Sequence, residues 1–214
     1  MVHLFKGRYT RADLKTKGKQ TFLGNYWTTV GCLFAISVIS AGVSGICSKV
    51  LPAAGFVALI LVGYPLIVSG AKFSLDNREG KASAEDIFYG FKAGYGNIIM
   101  NMFMLELFVT LWTFLLVVPG IIKAYTYRMV PFIVAERPDI DYKEALDLSK
   151  KMMDGEKMNT FVLDLSFIGW GLLTALTAGI LGVFYTTPYI QQTNAELYVT
   201  LKTKLEPQTA ETQM

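Results

Sequence analysis

Four long apolar blocks constrain the fold of this chain more than any other feature of its sequence. Residues 28–46, 53–71, 98–118 and 161–177 each approach or reach the roughly 17 to 25 apolar residues with which an α-helix crosses a hydrocarbon core about 30 Å thick. Only 17% of the 214 residues are charged and the mean hydropathy is +0.39, whereas soluble domains contain about 25% charged residues. The sequence therefore predicts an integral membrane protein of the all-α class, a polytopic transmembrane helical bundle.

Two weaker stretches, residues 121–135 and 180–201, contain proline and polar residues. If both cross the membrane the protein has six spans; if the last does not, there are five and the C-terminus lies outside. Lys and Arg in short flanking segments stay in the cytoplasm, and only Asp13 opposes the basic residues that precede the first block. These are Lys6, Arg8, Arg11, Lys15, Lys17 and Lys19. The charge pattern predicts a cytoplasmic N-terminus and, with six spans, a cytoplasmic C-terminus.

An internal repeat organises the predicted bundle. The segments NMFMLELFVTLW (residues 101–112) and NTFVLDLSFIGW (residues 159–170) align without a gap, and Glu106 falls opposite Asp164. A Gly-Ile turn and a returning segment with a proline follow each copy, and Pro65 lies in a fainter third copy near the start of the chain. We therefore expect three parallel helical hairpins, each preceded by a short amphipathic cytoplasmic helix, related by an axis along the membrane normal.

These patterns also predict the boundaries. Residues 1–24 form a basic cytoplasmic N-terminal segment, residues 25–205 the transmembrane helical domain, and residues 206–214 a polar, flexible C-terminal tail. The three hairpins are expected at about residues 28–71, 97–136 and 158–201.

Between the second and third hairpins, the segment DYKEALDLSKKMMDG places its apolar residues on one helical face. Such a helix can lie in the membrane interface with its lysines near anionic head groups. It can equally pack against the cytoplasmic ends of the spans, and the sequence leaves both placements open.

Four ionisable residues fall inside the predicted spans. Glu106, Asp164 and Arg128 lie at mid-depth or in the inner half, and Lys123 lies near an outer end, where its amine can snorkel. A charge at the centre of a span costs roughly 2.5 to 3.5 kcal/mol, so these side chains should face protein or water. Three arrangements stay open: a substrate, ion or proton site; an ion pair of Arg128 with one of the acids; or Asp164 reaching water or Lys157 at the inner interface.

No pattern of a catalytic or metal centre accompanies these charges. The single histidine is His3, and Cys32 and Cys47 lie in or beside the first block without CxxC spacing. HExxH, GxSxG and phosphate-binding P-loop motifs are absent from the sequence. We therefore expect no catalytic residue, no cofactor-binding residue and no metal ligand, and a protein that is not an enzyme.

Three motifs in the second half of the chain carry a family resemblance. They are VPGIIKAYTY (residues 118–127), LSFIGW (residues 165–170) and the Pro188-Tyr189 pair. With these motifs the sequence resembles the bacterial integral membrane family called domain of unknown function 975, from about Phe88 onward. The resemblance implies a multi-pass protein of the bacterial cell membrane with an unassigned activity, so it transfers no functional residue.

The first functional hypothesis is a membrane protein that binds or moves a lipid or an amphipathic peptide through an intramembrane cavity. The alternative is a non-catalytic accessory or scaffold protein for a partner complex. An intramembrane enzyme is the least favoured class. The partners expected are membrane lipids and either a membrane protein or a second copy of the chain, and no nucleic acid.

Overall fold

The computed structural model describes residues 4–5, 9–50 and 52–212, and the side chains of residues 10–43, 45, 49 and 55–205. His3 and the side chain of Cys47 lie outside the described part of the chain. Two short strands, β1 (Leu4–Phe5) and β2 (Tyr9–Thr10), pair antiparallel, and the other described residues are almost entirely helical. The fold is therefore all-α, as the apolar blocks predict.

The α-helices of the described residues are named in chain order. They are α1 (Arg11–Gly24), α2 (Tyr26–Val50), α3 (Pro52–Ala58), α4 (Tyr64–Arg78), α5 (Tyr89–Lys92), α6 (Tyr95–Leu115), α7 (Val117–Thr126), α8 (Val130–Glu136), α9 (Tyr142–Met152), α10 (Lys157–Leu165), α11 (Ile168–Leu176) and α12 (Thr187–Thr212). A π-helical turn, Leu59–Gly63, joins α3 to α4, and a second one, Gly182–Thr186, leads into α12. A 3₁₀ turn, Ala84–Phe88, leads into α5.

Four helical segments are long and apolar enough to cross a membrane: Tyr26–Val43, Gly55–Arg78, Tyr95–Leu115 and Lys157–Leu176. They coincide with the four long apolar blocks of the sequence. Large apolar side chains on them are left uncovered by protein; Phe114 is 90% exposed and Leu176 is 82% exposed. Apolar surface of this extent suits contact with lipid. These helices indicate a membrane protein.

The two weaker stretches are not among these candidate spans. Residues 121–135 are divided between α7 and α8 by a turn at residues 127–129, and residues 180–201 begin with π-helical geometry before α12. The break between α7 and α8 has a physical cause. Pro131 carries no backbone N–H and its ring clashes with the carbonyl four residues earlier, which disfavours a continuous helix.

Polar contacts join the starts of α2, α6 and α10 to segments that follow later in the chain. The Asn25 side-chain amide donates to the Asn77 side chain at 3.0 Å, which joins the start of α2 to the end of α4. The Asn97 amide donates to the Ile140 carbonyl at 2.7 Å, beside the start of α6. Glu156, just before α10, accepts the Lys204 ammonium of α12 at 2.8 Å. Each of these contacts therefore joins the start of a helix to a residue at least 40 positions later in the chain.

Helix α1, which lies in the predicted basic N-terminal segment, packs along α12. Its start is a capping box in which Thr10 and Asp13 each bond the backbone N–H of the other. The hydrogen bonds from Thr10 hold the pKa of the Asp13 carboxyl below its usual value. A Cβ atom on Gly18 would lie 2.8 Å from the Thr193 backbone, so glycine allows the close approach of the two helices.

Helix α9, for which the amphipathic pattern left two placements open, packs against the bundle. Ala145, Ser149 and Met152 on its apolar face are buried against the bundle, whereas Lys150 and Lys151 are exposed. The helix contacts α6, α8 and α12. The structure therefore has α9 packed against the ends of the helices.

Candidate functional site

Asp164 and Arg128 form a bidentate ion pair between α10 and the break that separates α7 from α8. The Arg128 guanidinium donates to Asp164 Oδ2 at 2.5 Å and to Oδ1 at 2.8 Å. The Tyr125 hydroxyl donates to Oδ2 at 2.8 Å, and Arg128 also donates to the Asn194 side-chain oxygen at 2.9 Å. Planar, two-point pairing of this kind is the strong form of an Arg–carboxylate contact. The charges of Asp164 and Arg128 are therefore mutually neutralised.

Arg128 reaches this position because α7 ends before it. Val130 N–H bonds the Tyr127 carbonyl, so the Thr126 carbonyl has no helical donor at that point. The Ser149 hydroxyl of α9 donates to the Thr126 carbonyl at 2.9 Å and accepts the Met129 N–H at 3.2 Å. One buried hydroxyl thus satisfies both backbone groups that the break would leave unpaired.

Glu106 has a different environment. The Tyr64 hydroxyl of α4 donates to its Oε2 at 2.5 Å. Within the described residues, Glu106 forms no ion pair with Lys or Arg, and Arg128 directs its hydrogen bonds to Asp164 and Asn194 instead. The structure therefore brings Arg128 to one of the two acids that the repeat aligns and leaves the other with a neutral donor.

The two acids nevertheless share one geometric relation. Each accepts a tyrosine hydroxyl from an earlier helix: Glu106 of α6 from Tyr64 of α4, and Asp164 of α10 from Tyr125 of α7. The difference is the cation. Arg128 completes the environment of Asp164, and no described Lys or Arg takes the corresponding place at Glu106.

A cavity of about 270 Å³ lies beside Glu106, between α4, α6 and the α7–α8 pair. Tyr64, Glu106, Tyr127 and Arg128 contribute its polar lining. The rest of the lining is apolar and includes Ile67, Leu105 and Val109. A largely apolar cavity with a few convergent polar groups is the usual form of a small-molecule site. Asp164 is not part of this lining.

Lys123, the fourth ionisable residue predicted inside the spans, lies against aromatic rings. Its ammonium is 4.9 Å from the centre of the Trp112 ring and 5.7 Å from that of Tyr127. Contacts of this type stabilise a cation without an acid partner. Among the described residues no group of three or more His, Cys, Asp or Glu side chains could hold a metal ion, and Cys32 is buried with a free thiol.

The sequence did not single out three polar partners: Tyr64, Tyr125 and Asn194. Asn194 lies among other polar residues, Gln191, Gln192, Thr193 and Glu196, so the sequence carries no signal that singles it out. Tyr64 follows an apolar stretch and directly precedes Pro65. A buried polar group in such a stretch needs a partner, and that need is the signal that could have identified Tyr64.

Comparison with known proteins gives a family match in the second half of the chain. The family model described as "Protein of unknown function (DUF975)" matches residues 99–204, which include Glu106, Arg128 and Asp164. No curated protein and no solved structure matches the chain.

Proposed function

Residues 99–204 of the chain match the family of proteins of unknown function DUF975, and we propose that the protein binds the cationic head of an amphipathic membrane molecule at Glu106. The observation that carries this proposal is the contrast between the two acids. Asp164 holds the Arg128 guanidinium, whereas Glu106 lines a cavity with the Tyr64 hydroxyl as its hydrogen-bond donor. A ligand ammonium or guanidinium would fill at Glu106 the role that Arg128 fills at Asp164.

The apolar part of the ligand follows from the rest of the lining. Ile67, Leu105 and Val109 lie beside Glu106, and Ile67 is 44% exposed. An acyl chain or an apolar peptide face can therefore continue from the cavity along the outside of the bundle. Because a lipid chain is already in hydrocarbon, van der Waals packing along this lining would add to the ion pair. An amine-headed lipid fits this arrangement, with a lysine-containing amphipathic peptide as the other member of the same class.

The proposed setting is the bacterial cell membrane, with the outgoing and returning pairs as three hairpins and six passes. Support comes from the contacts that return each segment to its start, at Asn25, Asn97 and Glu156. The basic segment before α2 favours a cytoplasmic N-terminus, and an even number of passes leaves the C-terminus on the same side. Membrane lipids are then the immediate partners, and the role is one of binding without catalysis.

Lipid retention tests the proposal. The full chain would be purified in nanodiscs that contain equal amounts of phosphatidylethanolamine and phosphatidylglycerol, and the retained lipids would be identified by native mass spectrometry. The amine-headed lipid should be enriched. Glu106→Gln should lower its retention about tenfold, because a hydrogen bond to a charged group contributes roughly 1.5 to 3 kcal/mol. A parallel arm with a lysine-containing amphipathic peptide tells the two ligand types apart.

The matched control is Asp154→Asn, which removes an exposed acid that does not line the cavity. This variant should retain lipid as the unmodified chain does. If the unmodified chain and Glu106→Gln retain both lipids equally and neither binds the peptide, the proposal fails. A non-catalytic accessory role in a partner complex would then be the favoured function.

A further inference from the structure

A second cavity, of about 520 Å³, lies between α4, α8, α9 and α12 and shares no lining residue with the cavity at Glu106. Three cations from three separate segments line it: Lys72 of α4, Arg137 after α8, and Lys202 of α12. The one acid in the lining is Glu136. Positive charge therefore predominates among the side chains that face this space, which favours an anionic occupant.

Two of the three cations have acid partners that lie outside the cavity lining. Lys72 pairs with Asp76 at 2.6 Å and Arg137 pairs with Glu144 at 3.0 Å. The side chains of Arg137 and Glu144 are 50% and 60% exposed. Ion pairs with this exposure contribute little and are easily exchanged. Arg137 can therefore turn to a ligand anion with little loss. The Lys72 and Asp76 side chains are only 28% and 18% exposed, so Lys72 would meet a ligand anion while it stays beside Asp76.

The third cation is held by the acid inside the cavity. Lys202 Nζ lies 2.5 Å from Glu136 Oε2, and the Tyr198 hydroxyl donates to the same oxygen at 3.0 Å. A cation and a hydroxyl donor thus already converge on one carboxylate oxygen. Donors that bind a carboxylate oxygen in this way also bind the oxygens of other anions.

We propose that this cavity binds a phosphate group, with Lys72, Arg137 and Lys202 as its ligating side chains. A phosphate presents several acceptor oxygens on one centre, which suits donors that approach from three directions. Arginine can meet two of these oxygens at once. The apolar lining from Leu148, Met152 and Leu205 can accommodate the carbon portion of a phosphate ester.

The same chemistry is available from an anionic lipid head group and from a soluble phosphate ester, so the test has two arms. In the first, the full chain in phosphatidylcholine nanodiscs is titrated with glycerol phosphate, and binding is measured by calorimetry. In the second, nanodiscs with and without phosphatidic acid are compared for retained anionic lipid. Binding in either arm supports the site and identifies the source of the phosphate, and binding in neither overturns it. Binding should also weaken as salt is raised.

Substitutions of the lining cations test whether binding occurs in this cavity. Lys72→Gln, Arg137→Gln and Lys202→Gln should each weaken binding about tenfold, because each removes a charge-assisted contact. Lys81→Gln is the control, since it breaks an exposed ion pair with Glu79 and does not line the cavity. It should bind as the unmodified chain does.

Glu136→Gln is the sharpest variant, because it separates a binding site from a merely structural ion pair. Removing the acid should tighten phosphate binding, since a like charge leaves the cavity and Lys202 loses its internal competitor. If Glu136 and Lys202 only stabilise the fold, Glu136→Gln should lower the unfolding midpoint without tightening binding. That result would overturn the proposal.

Discussion

At the scale of single residues, two acids from segments with similar sequences, Glu106 and Asp164, have unequal partners. Asp164 meets a guanidinium and a tyrosine, and Glu106 meets a tyrosine alone. Pairing neutralises Asp164 and leaves Glu106 available to a ligand. The same comparison gives different expectations for stability when each acid is neutralised.

Arg128→Gln and Asp164→Asn should each lower stability, because each leaves the opposite charge without its partner. The side chains of Arg128 and Asp164 are 22% and 30% exposed, so each loss should be smaller than the roughly 3 to 5 kcal/mol of a fully buried pair. The double variant should lose less than the sum of the two single losses. Thermal unfolding of the purified chain in detergent measures all three.

Glu106→Gln provides the comparison, since a glutamine oxygen can still accept the Tyr64 hydroxyl. Its unfolding midpoint should stay close to that of the unmodified chain. Additive losses from Arg128→Gln and Asp164→Asn would contradict the coupling that the bidentate geometry implies. An equal loss from Glu106→Gln would remove the distinction between the two acids.

The sequence offered an intramembrane pair of Arg128 with an acid as one of three open arrangements, and it did not decide which acid. That choice depends on which helices are neighbours, and α7 contacts α10. Neighbour relations of this kind are set by packing between segments far apart in the chain. The tyrosine donors were missed for the same reason, because each belongs to a different helix pair from the acid it contacts.

At the scale of elements, the sequence predicted the uninterrupted helices better than the broken ones. The four long apolar blocks correspond to four candidate spans, because length and hydropathy are local properties. The turn at residues 127–129 arises from Pro131 together with a serine of α9 that supplies the missing hydrogen bonds. The proline is visible in the sequence, whereas the serine that compensates for it is visible only in the fold.

Ser149→Ala should therefore lower the free energy of unfolding markedly, although it removes only one oxygen atom. It leaves the Met129 N–H and the Thr126 carbonyl without their partner in a buried place, at a cost of roughly 1 to 3 kcal/mol. Ser74→Ala is the matched control: Ser74 is equally buried, but its hydroxyl bonds the Gly70 carbonyl of its own helix. Denaturant unfolding of both variants gives the difference, and equal losses would show that Ser149 does not stabilise the break.

At the scale of the whole molecule, the contacts at Asn97 and Glu156 predict an even number of membrane crossings. Asn97, near the start of α6, contacts Ile140, so the chain has come back to the start of α6 by residue 140. Lys204 and Glu156 give the same relation for the last pair. If each pair returns to its start, both chain ends lie on one side of the membrane, however deeply each pair is inserted. These contacts favour the arrangement with six spans over the one with five spans and an external C-terminus, and labelling decides between them.

Cysteine labelling in intact cells tests this arrangement directly. In a chain without Cys32 and Cys47, single cysteines would replace Lys81 and Lys151, which are exposed near the returning ends, or Val117 and Ala178, which are exposed at the turns. A membrane-impermeant maleimide should label only the turn positions from outside. The cysteines at positions 81 and 151 should react only after the membrane is permeabilised.

Each turn position reports on its own helix pair, so the two results can differ. Labelling of Val117 without Ala178 would mean that α6 and α7 cross while the last pair turns back within the membrane, which still leaves both chain ends together. External labelling of Lys151 would contradict the parity, because residue 151 follows the second return and precedes the third pair. The contacts of Asn97 and Glu156 would then have to be absent in the membrane, and the proposed three hairpins would fail with them.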